Sequence, residues 1–329
     1  MTENYQMSTW TYMSPKAKES RTHWMTIFTP AYQREATMER LYKTLLSLQL
    51  PKPIRGGGEG KSIDFEWIII NDGSTDRTEE MVKQWCNENK LPIKYRYQKN
   101  QGKHVAVNYA VAHCDSEVFL TIDSDDTLLP EAFKVFYEEW EKIPDKTMYK
   151  GITGRCIDPV TKQIIGNKFP SDPFDVNTLD LRLKHHIKGE MLGFNRTDLM
   201  KSHPFPAPDP RMRFCPESIV WYEIARDGYK ERMVNIPVRE YYRDAANAIT
   251  GRNFNRAISN YYGWQYGVNH LLGYFFYSPK LILKNIVGIS RDGFVTKRSV
   301  STILADIHSF WGKCLVLIFM PAGYLLSKI

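Results

Sequence analysis

The stretch VFLTIDSDDTLLP (residues 118–130) drops from the apolar residues Val118, Phe119, Leu120 and Ile122 into three carboxylates within four positions, Asp123, Asp125 and Asp126. Its first half reads as a buried strand, which places the acids at the strand's carboxyl end. Carboxylates this close repel one another, and keeping them ionised beside a protein interior is costly unless a cation or a dense set of donors compensates. The acids ask for a partner, and the strand asks for a sheet.

Upstream of it lie three more β-type runs, MTIFT (25–29), EWIII (66–70) and IKYRY (93–97). Between the four runs fall EATMERLYKTLLSLQ (35–49), DRTEEMVKQWCNEN (76–89) and GKHVAVNYAVAHC (102–114), each with apolar residues at helical spacing. Strand and helix in alternation predict an α/β fold with a mostly parallel sheet and helices on both faces. Asp76 with Glu79 is positioned to form a capping box for the second helix, and Pro130 to occupy the first position of a helix after the acids. Ligands of such sheets bind beyond the carboxyl ends of the strands. The segments PAYQRE (30–35), NDGSTD (71–76) and DSDD (123–126) are therefore expected to converge on one crevice.

The chain has 329 residues, 43% of them hydrophobic, enough for one large or two medium domains. Its five cysteines are odd in number and contain no CxxC pair, which excludes a disulfide framework and a thiolate zinc site and suits a reducing cytosol. The formal charge of +7 is uneven, since residues 230–329 hold 13 Lys and Arg against 5 Asp and Glu. The same segment carries NYYGWQYGVNHLLGYFFY (260–277) and CLVLIFMPAGYLL (314–326), which are unlike nucleic-acid arms. The expected partner is an anionic membrane surface and not nucleic acid.

The terminal run is shorter than the roughly 20 residues that span a bilayer, and Pro321 and Gly323 are expected to interrupt it. It reads as monotopic, with Lys313 and Lys328 reaching towards headgroups; the alternative is a helix buried against the protein's own core. Residues 1–23 read as a loosely held polar arm with no apolar signal segment, residues 24–245 as the α/β domain, with 24–130 holding the alternating runs and 131–245 its second part, and residues 246–329 as a helical, membrane-associating region. The expected location is cytoplasmic, peripheral on the inner face of the cytoplasmic membrane. Two motifs fail: GGGEGKS (56–62) has Arg55 where a P-loop needs its first glycine and reads as an inserted loop, and DSDDTLLPE has Leu128 where a calcium loop needs glycine.

The series TIFTPAYQR (26–34), EWIIINDGSTDRT (66–78), NQGKHVAVNYA (100–110) and FLTIDSDD (119–126), in this order, resembles the nucleotide-sugar-binding half of family 2 glycosyltransferases with the GT-A fold, of the bacterial surface-polysaccharide type. The resemblance implies that Tyr32 lies against the nucleotide base, with the backbone of Thr29, Pro30 and Ala31 lining that pocket. It implies that Asp72 accepts a hydrogen bond from the uracil imide and that Lys103 and Asn108 stand near the donor; Val107 replaces an arginine common in the family. DSD fits the family's DxD signature, so Asp125 would bind a divalent cation, manganese or magnesium, with Asp123 as its companion and Ser124 beside the donor. Asp126 is left to cap the helix near Pro130.

PESIVWYEIARDGY (216–229) resembles the family's acidic motif with Pro216 at its first acidic position, which leaves Glu217 as the catalytic base; the competing reading is a glutamate at a helix start. Glu223 is expected to face solvent, and it and Asp209 are next in line as bases. Arg243, in YYRD (241–244), would meet phosphate or form a structural ion pair. The function implied is a metal-dependent inverting hexosyl or N-acetylhexosaminyl transfer from a nucleotide-diphospho-sugar, UDP-linked, to a hydroxyl of a lipid-linked or surface glycan. The alternatives are a sugar nucleotidyltransferase, which TPAYQRE disfavours for want of glycine, and a catalytically inactive partner protein at the membrane.

Overall fold

The structure, a computed structural model, describes residues 10–19, 22–51, 62–243 and 254–328. Ten strands are described: β1 (Tyr12–Met13), β2 (His23–Ala31), β3 (Ser62–Asp72), β4 (Ile93–Gln98), β5 (Val118–Thr121), β6 (Thr127–Leu128), β7 (Tyr149–Ile157), β8 (Phe174–Val176), β9 (Met191–Arg196) and β10 (Lys230–Glu240). The helices are α1 (Met38–Leu46), α2 (Thr78–Glu88), α3 (Lys103–Ala112), α4 (Ala132–Glu141), α5 (Thr197–Ser202), α6 (Ser218–Arg226), α7 (Phe254–Leu271), α8 (Pro279–Val295), α9 (Val300–Ala305) and α10 (Phe310–Leu326).

The strands form one sheet in the order β1-β4-β3-β2-β5-β9-β7-β10-β6, with β8 also on β10. Strands β4, β3, β2 and β5 are parallel, β9 runs antiparallel to both β5 and β7, and β7 and β10 are parallel to each other. The four runs expected as strands are therefore the parallel half. The near-continuous apolar character of β2, β3 and β5 follows from burial on both faces, whereas β4 alternates. Alternate residues go to opposite sides: Ile27, Trp67 and Ile69 join α1, α2 and α4 in one core, whereas Phe28, Ile68 and Ile70 join α3, α5 and α6 in another.

A third core binds the last four helices together through Tyr261, Ile286, Ile303, Val316 and Met320, and reaches α6 through Tyr222 and Ala225. Helix α10 runs through Pro321 and Gly323, which were expected to interrupt it. Gly323 serves packing instead: a Cβ there would stand 2.6 Å from that of Ser290 and 2.9 Å from the Arg291 amide nitrogen, so α10 and α8 touch backbone to side chain.

Three local expectations are corrected. Within the segment expected as a loose arm, Tyr12 pairs with Tyr95 of β4, and the Ser14 hydroxyl donates to the Leu91 carbonyl at 2.8 Å, so residues 12–18 are fastened to the sheet edge. The residue before α2 is Arg77, and Asp76 accepts from the Thr78 hydroxyl and amide and from the Glu35 amide, tying two loops together where a capping box was expected. Helix α4 starts at Ala132, two residues after Pro130, with its first amide on the Leu129 carbonyl. The glycine-rich stretch 56–61 and the domain boundary placed after residue 245 lie outside the described residues.

Candidate functional site

The carboxyl ends of β2, β3 and β5 deliver their loops to one place, as the alternation of strand and helix requires. Gln33, in the left-handed conformation at φ 55°, stitches the first two. Its side chain donates to the Thr75 hydroxyl at 3.0 Å and accepts from the Thr75 and Asp76 amides, while its own amide donates to the Ser74 hydroxyl. Arg34 joins the third loop, its Nε donating to the Ser124 hydroxyl at 3.1 Å. Tyr32 stands exposed at the rim, whereas the side chains of Thr29 and Ala31 turn into the sheet, Thr29 accepting from the Trp67 indole at 3.0 Å. At residues 29–31 the half-buried Pro30 and the backbone are left to line a pocket.

Asp72 ends β3 almost fully buried, and its carboxylate accepts three hydrogen bonds at 2.8 Å, from the Gln98 side chain and from the Gln101 and Gly102 amides. It shapes the turn into α3, where Gly102 at φ 99° lies so close to the Arg213 carbonyl that a side chain would collide with it. A carboxylate has about four lone-pair sites, so one remains for a ligand donor. Asn108 does not face the crevice: its amide nitrogen donates to the Phe205 carbonyl and its oxygen accepts from the Phe205 amide, both at 2.8 Å. The side chain implied to stand near the donor thus staples α3 to the 205 loop.

Lys103, the first residue of α3, is the hub. Its Nζ lies 2.7 Å from Asp123 Oδ1 and 2.8 Å from Glu217 Oε1, so carboxylates 94 positions apart meet on one ammonium. Burial works against the Lys103 charge, but Asp123 and Glu217 outweigh it and hold its pKa above the usual lysine value. The Asp123 carboxyl, raised by burial, is lowered further by Lys103 and sits below the ordinary carboxylate range. Glu217 is the residue before α6 and makes no capping bond to its own helix; one carboxylate oxygen pairs with Lys103 and the side chain stays half-exposed.

Asp125 is less well compensated. Its carbonyl accepts two bonds from the Arg40 guanidinium, and the charges of Arg40 and of Arg34, 3.9 Å from the carboxylate, offset burial only in part. Burial, and then the charge of Asp123, push its pKa up, which a nearby divalent cation would reverse. Among the described residues no three or more His, Cys, Asp or Glu side chains gather into a metal cage. A pair of carboxylates with one undercompensated member fits a hard cation that takes its other oxygens from water and phosphate. Asp123 and Asp125 are the residues that could hold it.

Asp126 does not cap a helix. It is 1% exposed, pairs with the Arg239 guanidinium at 3.0 Å and accepts from the Tyr242 amide. Burial pushes its carboxyl up to about 7 against the pull of Arg239. This pair locks the acidic loop to the end of β10, and the sequence carried no sign of it, since the partners are 113 residues apart. Arg34 and Arg40 were missed for the same reason.

The other candidate bases stand elsewhere. Glu223 packs towards α7, its carboxylate 3.7 Å from His270, and so does not simply face solvent. Asp209 is clamped by the Arg211 guanidinium at 2.6 Å, and the hydrogen bonds of that arginine hold its carboxyl down at about 2. Such a carboxylate is a poor proton acceptor near neutral pH. Arg243 lies with its guanidinium 5.8 Å from the Tyr241 ring.

Comparison with known proteins bears on this geometry. The profile of the family described as Glycosyl transferase family 2 matches residues 26–200. The poly(ribitol-phosphate) beta-N-acetylglucosaminyltransferase TarS of Staphylococcus aureus is 26% identical over 186 residues, 56% of this chain and 29% of that protein. The prophage bactoprenol glucosyl transferase homolog of Escherichia coli is 25% identical over 166 residues, 48% of this chain and 51% of that one. The chain thus spans about half or less of the length of the curated relatives it matches. Among solved structures, residues 1–349 of TarS in complex with UDP-GlcNAc superpose with a TM-score of 0.57 at 15% identity, covering 92% of this chain and 90% of that one. The mannosyltransferase PcManGT of Pyrobaculum calidifontis, in complex with GDP-Man and Mn2+, gives 0.51 at 16% identity, with 98% and 91% covered. At these identities the likeness is one of fold.

Proposed function

The chain belongs to glycosyl transferase family 2, and from that premise we propose that it transfers a sugar from a nucleotide-diphospho-sugar to an acceptor hydroxyl with inversion at the anomeric carbon. The observation that carries this reading is the meeting of Asp123, at the end of β5, and Glu217, at the start of α6, on the Lys103 ammonium. One carboxylate belongs to the donor side and the other to the acceptor side, and the crevice between them is where a reacting carbon would sit.

In this reading Glu217 takes the proton of the acceptor hydroxyl while that oxygen attacks the anomeric carbon from the side opposite the diphosphate. The bond from the anomeric carbon to the phosphate oxygen breaks, and its electron pair leaves with the diphosphate. A divalent cation, manganese or magnesium, held by Asp123 and Asp125 would supply Lewis-acid neutralisation of that leaving group. Lys103 adds a fixed positive charge at the same place. Tyr32 offers a ring for the base, and the remaining lone-pair site of Asp72 suits the imide N–H of uracil, which supports a UDP-linked donor. The presence of UDP-GlcNAc in the TarS complex supports the same choice. The bactoprenol named for one relative and the poly(ribitol-phosphate) named for TarS support a lipid-linked or surface polymer as the source of the acceptor hydroxyl.

The test is a thermal-shift panel of nucleotide sugars and uridine diphosphate, with manganese and with chelator. Uridine diphosphate should stabilise the protein only with metal, and Asp125→Ala should remove that shift. Glu217→Gln should keep the shift while turnover falls by roughly 10²-fold or more. Equal stabilisation in chelator sinks the metal role, and near wild-type turnover moves the base away from Glu217.

A further inference from the structure

Helix α10 has two unlike sides. Gly312, Val316, Met320 and Gly323 face the helical core, spaced by three or four residues as one side of a helix must be. The other side is apolar as well and open: Trp311 is 76% exposed, Ile318 66% and Leu325 67%, with Phe310, Leu317 and Tyr324 beside them. The aromatic pair Phe276 and Tyr277 is open as well, 96% and 62% exposed. Their turn follows Leu272, whose Cδ1 would stand 2.5 Å from a Cβ on Gly312, so it lies at the end of the bundle where α10 begins. Six large apolar side chains open along one side of a single helix mark a contact surface rather than one left in water.

Charge says what covers it. After Asp244 the chain has nine Lys and Arg but two carboxylates, Asp292 and Asp306. Asp292 is buried and paired with Arg291, and Asp306 is paired with Arg298 at 3.1 Å. Lys280 and Lys284 are exposed along α8, Lys313 flanks the patch, and Lys328 lies over the Tyr324 ring at 5.0 Å. A second copy of this face would bring lysines against lysines, whereas an anionic surface would meet them favourably. No described helix is long and apolar enough to cross a membrane, so the contact is along the helix and not through the bilayer.

We propose that the open side of α10, with Phe276 and Tyr277 at one end and the lysines around it, docks on an anionic lipid bilayer as a monotopic surface. Its apolar side chains enter the interface, and Lys280, Lys284, Lys313 and Lys328 meet the headgroups. The bundle that carries this face adjoins the catalytic candidates through α7. Gly263 of α7 packs on the Phe214 carbonyl and Gly267 on the Pro216 ring, so the bundle backs directly onto the segment that leads to Glu217. The inference does not rest on the transfer reading and stands or falls separately from it.

The full chain is sedimented with phosphatidylcholine vesicles and with vesicles in which about a third of the lipid is phosphatidylglycerol. Binding is expected to the anionic vesicles, only partly reversed by high salt, with brominated acyl chains quenching the Trp311 contribution to fluorescence. Ile318→Glu with Leu325→Glu should lower the partition coefficient tenfold or more while circular dichroism and the unfolding midpoint stay unchanged. Lys280→Gln with Lys284→Gln, which leaves the apolar side untouched, should lower it several-fold on anionic vesicles alone. The proposal is overturned if the wild-type chain ignores anionic vesicles, or if neither pair of substitutions weakens binding. It is equally overturned if the chain is a dimer that the glutamate pair makes monomeric with no change at vesicles, since the occupant is then a second copy.

Discussion

The crevice and the outer side of α10 treat their surroundings in opposite ways. In the crevice, carboxylates and cations are brought together from distant parts of the chain until most charge is matched internally, on Lys103 and on Arg239. On α10 and beside it on α8, apolar side chains and the lysines Lys280 and Lys284 are left exposed, and the matching partner has to come from elsewhere. A site that does chemistry must hold its charges in fixed geometry before the substrate arrives. A docking surface needs only area and sign.

The first way to break the contrast is to remove the internal match where it is deepest. Arg239→Met leaves the Asp126 carboxylate buried with no cation, and urea unfolding should show a loss of about 3–5 kcal/mol. Adding Asp126→Asn should return much of that, because the uncompensated charge is gone. An equal loss in the double variant would mean that the arginine stabilises by packing.

The two sides of α10 can be separated in the same experiment. Met320→Ala on the covered side should lower stability by about 2–5 kcal/mol, whereas Ile318→Ala on the open side should change it by less than about 0.5 kcal/mol. Comparable losses would mean that the open side is covered within the folded chain. Gly323→Val tests the helix contact itself: the new methyls meet Ser290 and the α8 backbone, and overpacking should cost about 1–3 kcal/mol.

A smaller effect is expected from Lys103→Met. Asp123 and Glu217 are 41% and 48% exposed, so solvent screening keeps the stability contribution of their contacts to about 1 kcal/mol or less. The sign with pH is fixed. The Asp123 pKa is depressed in the folded protein, so its contribution is present above the ordinary carboxylate value and is lost as pH falls through the folded one. The unfolding midpoints of wild type and variant should therefore differ near pH 7 and converge on acidification. The smallest change is chemical: burial pushes the thiols of Cys86, Cys114 and Cys156 up to about 11 and that of Cys215 up to about 12, while Cys314 on α10 is half-buried. A thiol reagent near pH 8 should label one cysteine quickly in the native protein and the others only after unfolding.

The parallel half of the sheet was legible because β2, β3 and β5 are buried on both faces and so write themselves as apolar runs, while β4 alternates, with Ile93 and Tyr95 in one core and Lys94 and Arg96 on the other face. The acids that end β5 were legible because like charges in adjacent positions need a compensating group. Strand starts and helix caps were less so. Asp76 reached into a neighbouring loop, and Tyr12 found an open strand edge, because a polar side chain or a free edge takes whichever partner the fold brings near. The two antiparallel connections through β9 carry no local signal of their order in the sheet.

Periodicity and composition depend on neighbours along the chain, and by themselves they determined an α/β domain with acids at strand ends and a basic, apolar helical end. Which acid meets which cation depends on neighbours in space. Only the tertiary structure decided that Lys103 joins Asp123 to Glu217, that Asp126 belongs to Arg239, and that Asn108 is a staple. The same holds for α10, whose sequence is apolar on all sides: the close approach of Gly323 to α8 selects the side that is covered and leaves the other exposed.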